Sequence, residues 1–544
     1  ARFFIEQRGN TANRELFGDY CQDHKPLVEQ EEAVGHAVRA GYFYAGAADV
    51  AALTDNQAYV TALERIWENM AGKKMYLTGG IGAQRRGEQF GANYELPNDT
   101  AYAETCAAIA NILWNQRMFL LKGQSRYIDV LERALYNGFL SGISLSGDTF
   151  FYVNPLASDG STPFNHGSCS RQPWFNCSCC PTNIVRFLPS LSGYVYAVRD
   201  DAVYVNLYIG GQASFSVNGV SLALEQQTDY PWDGQVKIIV SPENTSDFEL
   251  RLRIPCWARG RPVPGDLYRY EEGDDTPVLL RINDIEVSAT PDENGYVCLR
   301  RAWSGGDTVT LELPMAVRYV VAHENVENNH NRIAVERGPL VYCTEGTDNS
   351  GRVRHRFLVP GSALKPHELE ILPGATVTAL TGLGGAVHRD DVGKPERITE
   401  EVITLIPYYA WAHRGAGEMQ VWIARDAETA QAAPLPTVTS SAKVSSSHVW
   451  ETDTPAALND LVEPADSNDT GIPRFTWWPH KASREWVQYD FDGEITVGKV
   501  AVYWFDDAPD GGCRIPAKWN LEYLQDTTWI PVTNITDYTV ALHR

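Results

Sequence analysis

The hydrophobic pattern changes period near residue 194, dividing the chain into a helical front and a β-rich remainder. Before that point apolar residues recur at helical spacing, and several runs close on glycine. These runs are VEQEEAVGHAVRAGYFYAGAADVAAL (28–53), AYVTALERIWENMAG (58–72), AYAETCAAIANILWNQRMFLL (101–121) and YIDVLERALYNGFLSG (127–142). Glu29, Glu31 and Glu32 stand near the front of the first run, where carboxylates suit the helix dipole. A shorter helix is predicted from near Pro181 through TNIVRFLPSL, and ARFFIEQRG reads as a helix tail stopped at Gly9. About five or six helices joined without strands predict an α/α arrangement. A closed double ring needs roughly twice as many, so further helices are expected upstream of Ala1.

Beyond residue 194 the runs become β-like, separated by Gly, Asn, Asp and Pro. They include YVYAVRDDAVYVNLYIGGQASFSV, VKIIVSPENTSDFELRLRIPCW, GDTVTLELPMAVRYVVAH (306–323), IAVERGPLVYCTE (333–345), EVITLIPYYAWAHR (401–414) and EMQVWIAR (418–425). AETAQAAPLPTVTSSAKVSSSH (427–448) reads as a linker. A third β region follows, in EWVQYDFDGEITVGKVAVYWFDD (485–507) and KWNLEYLQDTTWIPV (518–532). The expected organisation is multidomain α+β: a helical portion over 1–193, one or two β-sandwich modules over 194–426, the linker 427–448, and a last β-sandwich over 449–544. A chain of 544 residues needs more than one core.

With 69 acidic and 46 basic residues the formal charge is −23. That field disfavours nucleic acid and anionic lipid as partners and leaves neutral substrates, including carbohydrates, open. No apolar run reaches a membrane span. The first residues are not a signal peptide, and any leader would precede Ala1, so cytoplasmic and exported locations both stay open.

Four of the ten cysteines lie between 169 and 180, three of them in NCSCCPTN (176–183). A disulfide between the adjacent Cys179 and Cys180 would close a strained small ring. Cys177 and Cys180 have the C-x-x-C spacing of dithiol exchange but lack a βαβ setting. A metal needs converging soft ligands, and zinc takes four. Cys179 and Cys180 supply two if the chain turns sharply at Pro181. Glu104 and Cys106 of AETC complete the set only if a helix begins near Thr105, because positions i and i+2 do not share a helix face. The residues by themselves leave paired, redox and metal readings open. By themselves, too, Glu88 in GEQFG reads as a solvated loop residue, His36 as a core histidine on an apolar helix, and Tyr152 as β-core packing. TGGIG (78–82) lacks a full G-x-G-x-x-G, and its glycines are expected to let a loop approach a ligand closely.

The ordered motifs QDHKP (22–26), EAVGHAVRA (32–40), MYLTGGIG (75–82), GEQFG (87–91), YELPNDTAYAETCAAIAN (94–111), ERALYNG (132–138), FYVNPL (151–156) and CSCCPTN (177–183) carry a resemblance. Together with IPYYAWAHR (406–414), they make residues 1–425 similar to glycoside hydrolase family 127, the β-L-arabinofuranosidases. The resemblance implies an (α/α)6-type barrel, here without its N-terminal helices, followed by β-sandwiches. It implies Zn2+ held by Glu104, Cys106, Cys179 and Cys180, with Cys179 as nucleophile and Glu88 as general acid/base. His36 and Tyr152 match residues that contact the sugar or organise the pocket. His24 would support the pocket wall, while Cys169 and Cys177 match no ligand position.

The implied reaction is retaining exo-hydrolysis of terminal β-L-arabinofuranose from an arabinose-containing plant oligosaccharide or glycoconjugate. Zinc would keep the cysteine as a thiolate, where a free thiol is mostly protonated. The rival readings are a related glycosidase acting on another sugar and a catalytically impaired glycan-binding protein. WVQYDF, KVAVYWFDD and IPAKWNLEY give the last region a resemblance to discoidin-like carbohydrate-binding modules, a fold that would need strands beyond Arg544.

Overall fold

A computed structural model describes the chain except residues 13, 274–275, 360, 390–395, 434–436, 452, 462–463, 465–466, 468–472, 509–510, 534–537 and 539–544. The front of the chain is helical: Arg2–Glu6, Ala37–Thr54, Gln57–Lys73, Thr105–Lys122, Ser125–Arg133 and Cys179–Phe187. Local chemistry sets their ends. Asn56 caps Gln57–Lys73 by accepting from the amides of Ala58 and Tyr59, and Gly123 (φ 70°) closes Thr105–Lys122 in the left-handed region. Ser125–Arg133 runs on through a π turn at Ala134–Phe139 and a 3-10 turn at Leu140–Gly142.

The helix expected from residue 28 begins only at Ala37. Leu27–Glu29 is a 3-10 turn after Pro26, and Gly35 (φ 72°) passes so close to Tyr20 and Asp19 that a Cβ there would lie 2.0 Å from the Asp19 carbonyl oxygen. Glu29, Glu31 and Glu32 therefore precede the helix, and His36 is its N-cap rather than a residue on its apolar face.

Ala37–Thr54 and Thr105–Lys122 pack together through small residues. Gly41 faces Ala110 so closely that a Cβ would meet that Cβ at 2.7 Å. The rings of Tyr44 and Trp114, both fully buried, meet at 4.9 Å beside this contact.

Behind the helices a six-stranded and a four-stranded sheet share one core built from Leu224, Ile238, Val240, Phe248, Leu250 and Trp303. An eleven-stranded sheet follows, mainly from residues 268–424. It includes one strand of the front region, Ala157–Asp159, paired antiparallel with Glu418–Gln420. Buried ion pairs also join front to back. Arg253 holds Asp129 (2.7 Å) and Glu132 (2.5 Å), and Arg133 holds Glu336 (2.5 Å). Each charge is desolvated, so each depends on its partner.

These parts form one compact unit of Ala1–Gly160, Phe164–His388 and Glu396–Ala433; Pro434–Arg544 forms most of a second. Within the second, Lys443–Ser446 pairs with Val487–Asp490 and Glu522–Gln525 with Thr528–Pro531. The expected linker thus ends in a strand. Most of 485–507 carries none, since the runs expected there have no ladder partner among the described residues. Parts of the region expected to be discoidin-like, among them 468–472 and 539–544, lie outside the described residues. Among the described residues, no helix is long and apolar enough to cross a membrane.

Candidate active site

Three helix N-termini converge on one cluster of acidic side chains. His36 caps Ala37–Thr54, Glu104 caps Thr105–Lys122, and Cys179 and Cys180 open Cys179–Phe187. The positive ends of three helix dipoles therefore face carboxyls and thiols, which favours their anionic forms. Glu104 is indeed the residue before its helix, the condition under which it and Cys106 can converge. Ala103 (φ 37°) makes the turn into it.

Tyr152 is tied to the same helix start. Its carbonyl accepts from the Thr105 amide (3.0 Å), and the Thr105 hydroxyl donates to the Phe151 carbonyl (2.7 Å). Asn154 donates to the Ala103 carbonyl (2.9 Å) and the Thr105 hydroxyl (3.0 Å). The FYVN segment is thereby clamped beside Glu104.

The ligand atoms of Glu104, Cys106, Cys179 and Cys180 all lie within 4.8 Å of one another. Cys179 Sγ and Cys180 Sγ are 3.9 Å apart, and each is 3.5 Å from Glu104 Oε1. Tetrahedral zinc, with bonds near 2.3 Å to sulfur and 2.1 Å to oxygen, spans edges of about 3.8 Å and about 3.6 Å. Glu104 Oε2 is buried and finds no hydrogen-bond partner among the described residues. The donor set therefore fits a soft divalent ion. All ten cysteines are free, so the paired reading does not describe this structure.

Electrostatics point the same way. Burial pushes the Glu104 carboxyl and the Cys180 thiol well up, and a hydrogen bond shared with Cys179 pushes Cys106 up. Cys179 is held far below the usual thiol range by hydrogen bonds from Cys106 and Cys180. Without a cation the cluster keeps most of its protons, and a metal must displace them. Cys180 is fully buried whereas Cys179 is half-buried, so Cys179 is the more accessible of the two sulfurs.

Glu88 faces this cluster from a strained loop, with φ 51° directly after Gly87 at φ 74°. His36 Nε2 lies 3.0 Å from its Oε2, and the Tyr102 hydroxyl donates to its Oε1 (2.8 Å). The His36 hydrogen bond is the largest influence holding Glu88 below the usual carboxylate range, and burial opposes it. The Tyr152 hydroxyl stands between the two halves of the site, 3.2 Å from Cys179 Sγ and 3.4 Å from Glu88 Oε1. It carries one proton and can donate to only one of them at a time.

The structure thus brings together Cys179, Glu88, His36, Tyr152, Glu104, Cys106 and Cys180. His24 lies against Asp19 (3.2 Å), Cys177 is exposed and Cys169 is half-buried. Sequence reasoning missed three contributors. Tyr102 sits two residues before Glu104. His166 packs on the Tyr152 ring at 4.4 Å, with Phe175 5.5 Å from both rings. Gln22 of QDHKP donates to the Val34 carbonyl (2.9 Å) and so fixes the loop that carries His36. Among the TGGIG glycines, a Cβ on Gly79 would lie 2.5 Å from Ala134 Cα, one on Gly80 3.2 Å from Ala103 Cβ and one on Gly82 3.0 Å from Ala37 Cβ, so all three allow close packing against the segments that carry site residues.

Three successive family models match the chain. They are the beta-L-arabinofuranosidase GH127 catalytic domain (residues 1–193), the GH127 middle domain (202–315) and the glycoside hydrolase family 127 C-terminal domain (317–424). A GH127 β-L-arabinofuranosidase structure from Geobacillus stearothermophilus T6 is 39% identical, with TM-score 0.71, over 78% of this chain and 68% of that one. The chain belongs to glycoside hydrolase family 127. A second family 127 structure, described as a β-arabinofuranosidase, is 46% identical with TM-score 0.75, over 80% of this chain and 66% of that one. A non-reducing end β-L-arabinofuranosidase of Bifidobacterium longum subsp. longum is 37% identical over 424 residues, 74% of this chain. This family 127 chain spans 61% of that relative's length.

Proposed function

We propose that the protein is a retaining exo-glycoside hydrolase that releases terminal β-L-arabinofuranose from an arabinose-containing oligosaccharide or glycoconjugate. The observation that carries this reading is one hydroxyl, that of Tyr152, lying within 3.4 Å of both an accessible cysteine sulfur and a carboxylate. An inverting pair leaves room for a water between its two groups, whereas a retaining pair is closer. A single hydroxyl spanning the gap fits the closer arrangement.

Glu104, Cys106, Cys179 and Cys180 would hold a zinc ion. Bound there, zinc would keep the sulfurs deprotonated as thiolates and fix their positions. Cys179 attacks the anomeric carbon as the glycosidic C–O bond breaks, and Glu88 gives its proton to the departing oxygen. The S-glycosyl link that forms is then broken by water, which Glu88, now a carboxylate, deprotonates. Arabinose leaves with its configuration retained and the thiolate is restored. His36 orients Glu88, and Tyr152 donates to whichever neighbour is anionic. Glu88 supplies about 10²–10⁴-fold as acid/base.

In this reading the helices are part of an (α/α)6-type barrel within residues 1–193. Residues 194–426 form β-sandwiches, and 449–544 form a discoidin-like module after the linker 427–448.

The test is the full chain, loaded with zinc, on a panel of aryl and methyl glycosides followed by proton NMR. β-L-Arabinofuranose should be the first product, and both Cys179→Ser and Glu88→Gln should remove turnover. Full turnover by Cys179→Ser with none by Cys180→Ser would reassign the nucleophile. Glycan binding without any product would make the chain a binding protein.

A further inference from the structure

A second cluster of metal-ligating side chains lies far along the sequence, in the eleven-stranded sheet. His355, His388 and Glu401 each offer one ligand atom, and the three atoms lie within 4.8 Å of one another. They belong to three neighbouring segments of one hydrogen-bonded ladder. His388 ends the strand Ala375–His388, Glu401 lies in its partner Arg397–Pro407, and His355 directly precedes Arg356–Phe357 on the other side. The His355 carbonyl accepts from the Val387 amide at 2.9 Å, so the histidine loop is fixed to the strand that carries His388. The two imidazole rings meet edge to face at 5.2 Å.

We propose that His355, His388 and Glu401 form a second divalent transition-metal site, independent of the cysteine cluster and of the glycosidase reading. His355 is 7% exposed, and its Nδ1 is buried with no hydrogen-bond partner among the described residues. A buried ring nitrogen left unsatisfied is costly unless something engages it. Two imidazoles with one carboxylate select zinc-like ions over calcium or magnesium, which prefer all-oxygen shells. His388 and Glu401 are about a quarter exposed (25% and 27%), which gives an ion a way in and leaves room for a water ligand.

The carboxylate is already divided in a way that suits this role. Arg356 takes Glu401 Oε2 at 2.9 Å and spends its other donors on the carbonyls of Arg352, Asn349 and Val402. That leaves Oε1, which accepts from His388 Nε2 (2.6 Å) and the Thr399 hydroxyl (3.0 Å). Zinc between nitrogen and oxygen needs an N–O separation of about 3.4 Å. The pair must therefore open by about 0.8 Å, which two side chains about a quarter exposed can do by small rotations. An ion there would pin the end of the long hairpin to the segment before Arg356.

The test strips the full chain with a chelator and titrates it with Co2+, reading metal content and sulfur-to-cobalt charge-transfer absorption together. Two equivalents should bind, and only one should add charge-transfer intensity, because the second site has no sulfur. His388→Gln can keep a hydrogen bond to Glu401 but should lose the silent equivalent while the charge-transfer band stays at full height. His355→Phe, which fills the buried ring's place without a nitrogen, should do the same and serves if the first variant misfolds. A wild-type chain without the silent equivalent, or its retention in either folded variant, overturns the proposal.

Discussion

His36 Nε2 and Glu88 Oε2 stand 3.0 Å apart because an antiparallel bridge between His36 and Gln89 joins their two loops. The hydrogen bond favours the ionised carboxylate, so Glu88 stays charged to lower pH than an ordinary glutamate. Donation to a leaving group requires the protonated form. kcat/KM should therefore fall as pH rises above the Glu88 pKa, which places the optimum on the acid side. Replacing His36 by leucine removes the largest lowering influence and should move the alkaline limb to higher pH, whatever happens to its height. A limb that moves down, or stays, contradicts this.

Tyr152→Phe deletes the hydroxyl that joins Cys179 to Glu88. A hydrogen bond to a charged group is worth about 1.5–3 kcal/mol, so kcat should drop by roughly 10- to 100-fold. Bound zinc, measured on the same sample, should be unchanged, since Tyr152 is not among the ligands.

Removing the metal should cost stability as well as turnover. Glu104 would be left buried beside three sulfurs with one oxygen unpartnered. Chelation should lower Tm, restoring zinc should raise it in a concentration-dependent way, and Cys180→Ala should show neither response.

Asp23 organises the loop before His36, accepting from Arg14 (2.5 and 2.7 Å) and from the amide of Phe17 (3.1 Å). The Arg14 hydrogen bond is the largest of the influences that bring its pKa down to about 2. Because the folded pKa is depressed, this stabilisation is complete above the unfolded value and is lost as pH falls through the folded one. Asp23→Asn should melt below wild type at pH 6. The difference should close between about pH 4 and about pH 2.

Gly41→Val pushes a branched side chain into Ala110 on the facing helix, where even a Cβ meets backbone at 2.9 Å. Overpacking of this kind costs about 1–3 kcal/mol. Both helices present site residues at their N-termini, so the variant should also hold zinc more weakly at equal protein concentration.

Much of the helical front was legible because its signals are local. The run 58–72 lies within Gln57–Lys73, and the start of a helix at Thr105 follows from what Glu104 and Cys106 would have to do. The run from 28 misled because Glu29, Glu31 and Glu32 imitate a helix front, while Gly35 breaks the chain through a contact with Asp19 that no local pattern announces. Tyr102 and His166 were missed for the same reason, since each acts through residues distant in sequence. The proposed ligand residues came into view through ordered motifs rather than spacing, because Glu104 and Cys179 are too far apart for any local metal signature.

Among the described residues, Ala157–Asp159 pairs with Glu418–Gln420 alone. Nearby, Tyr408 donates to the Pro155 carbonyl (2.8 Å) and Arg171 to that of Trp411 (2.8 Å). The segment between Tyr152 and Cys179 is therefore anchored to a strand and to the turn at Tyr408–Ala410, which a ribosome makes about 240–260 residues later. At 5–20 residues per second this is a wait of roughly 13–50 s. During that interval the nascent thiols have no finished cradle and are open to oxidation and to stray metals.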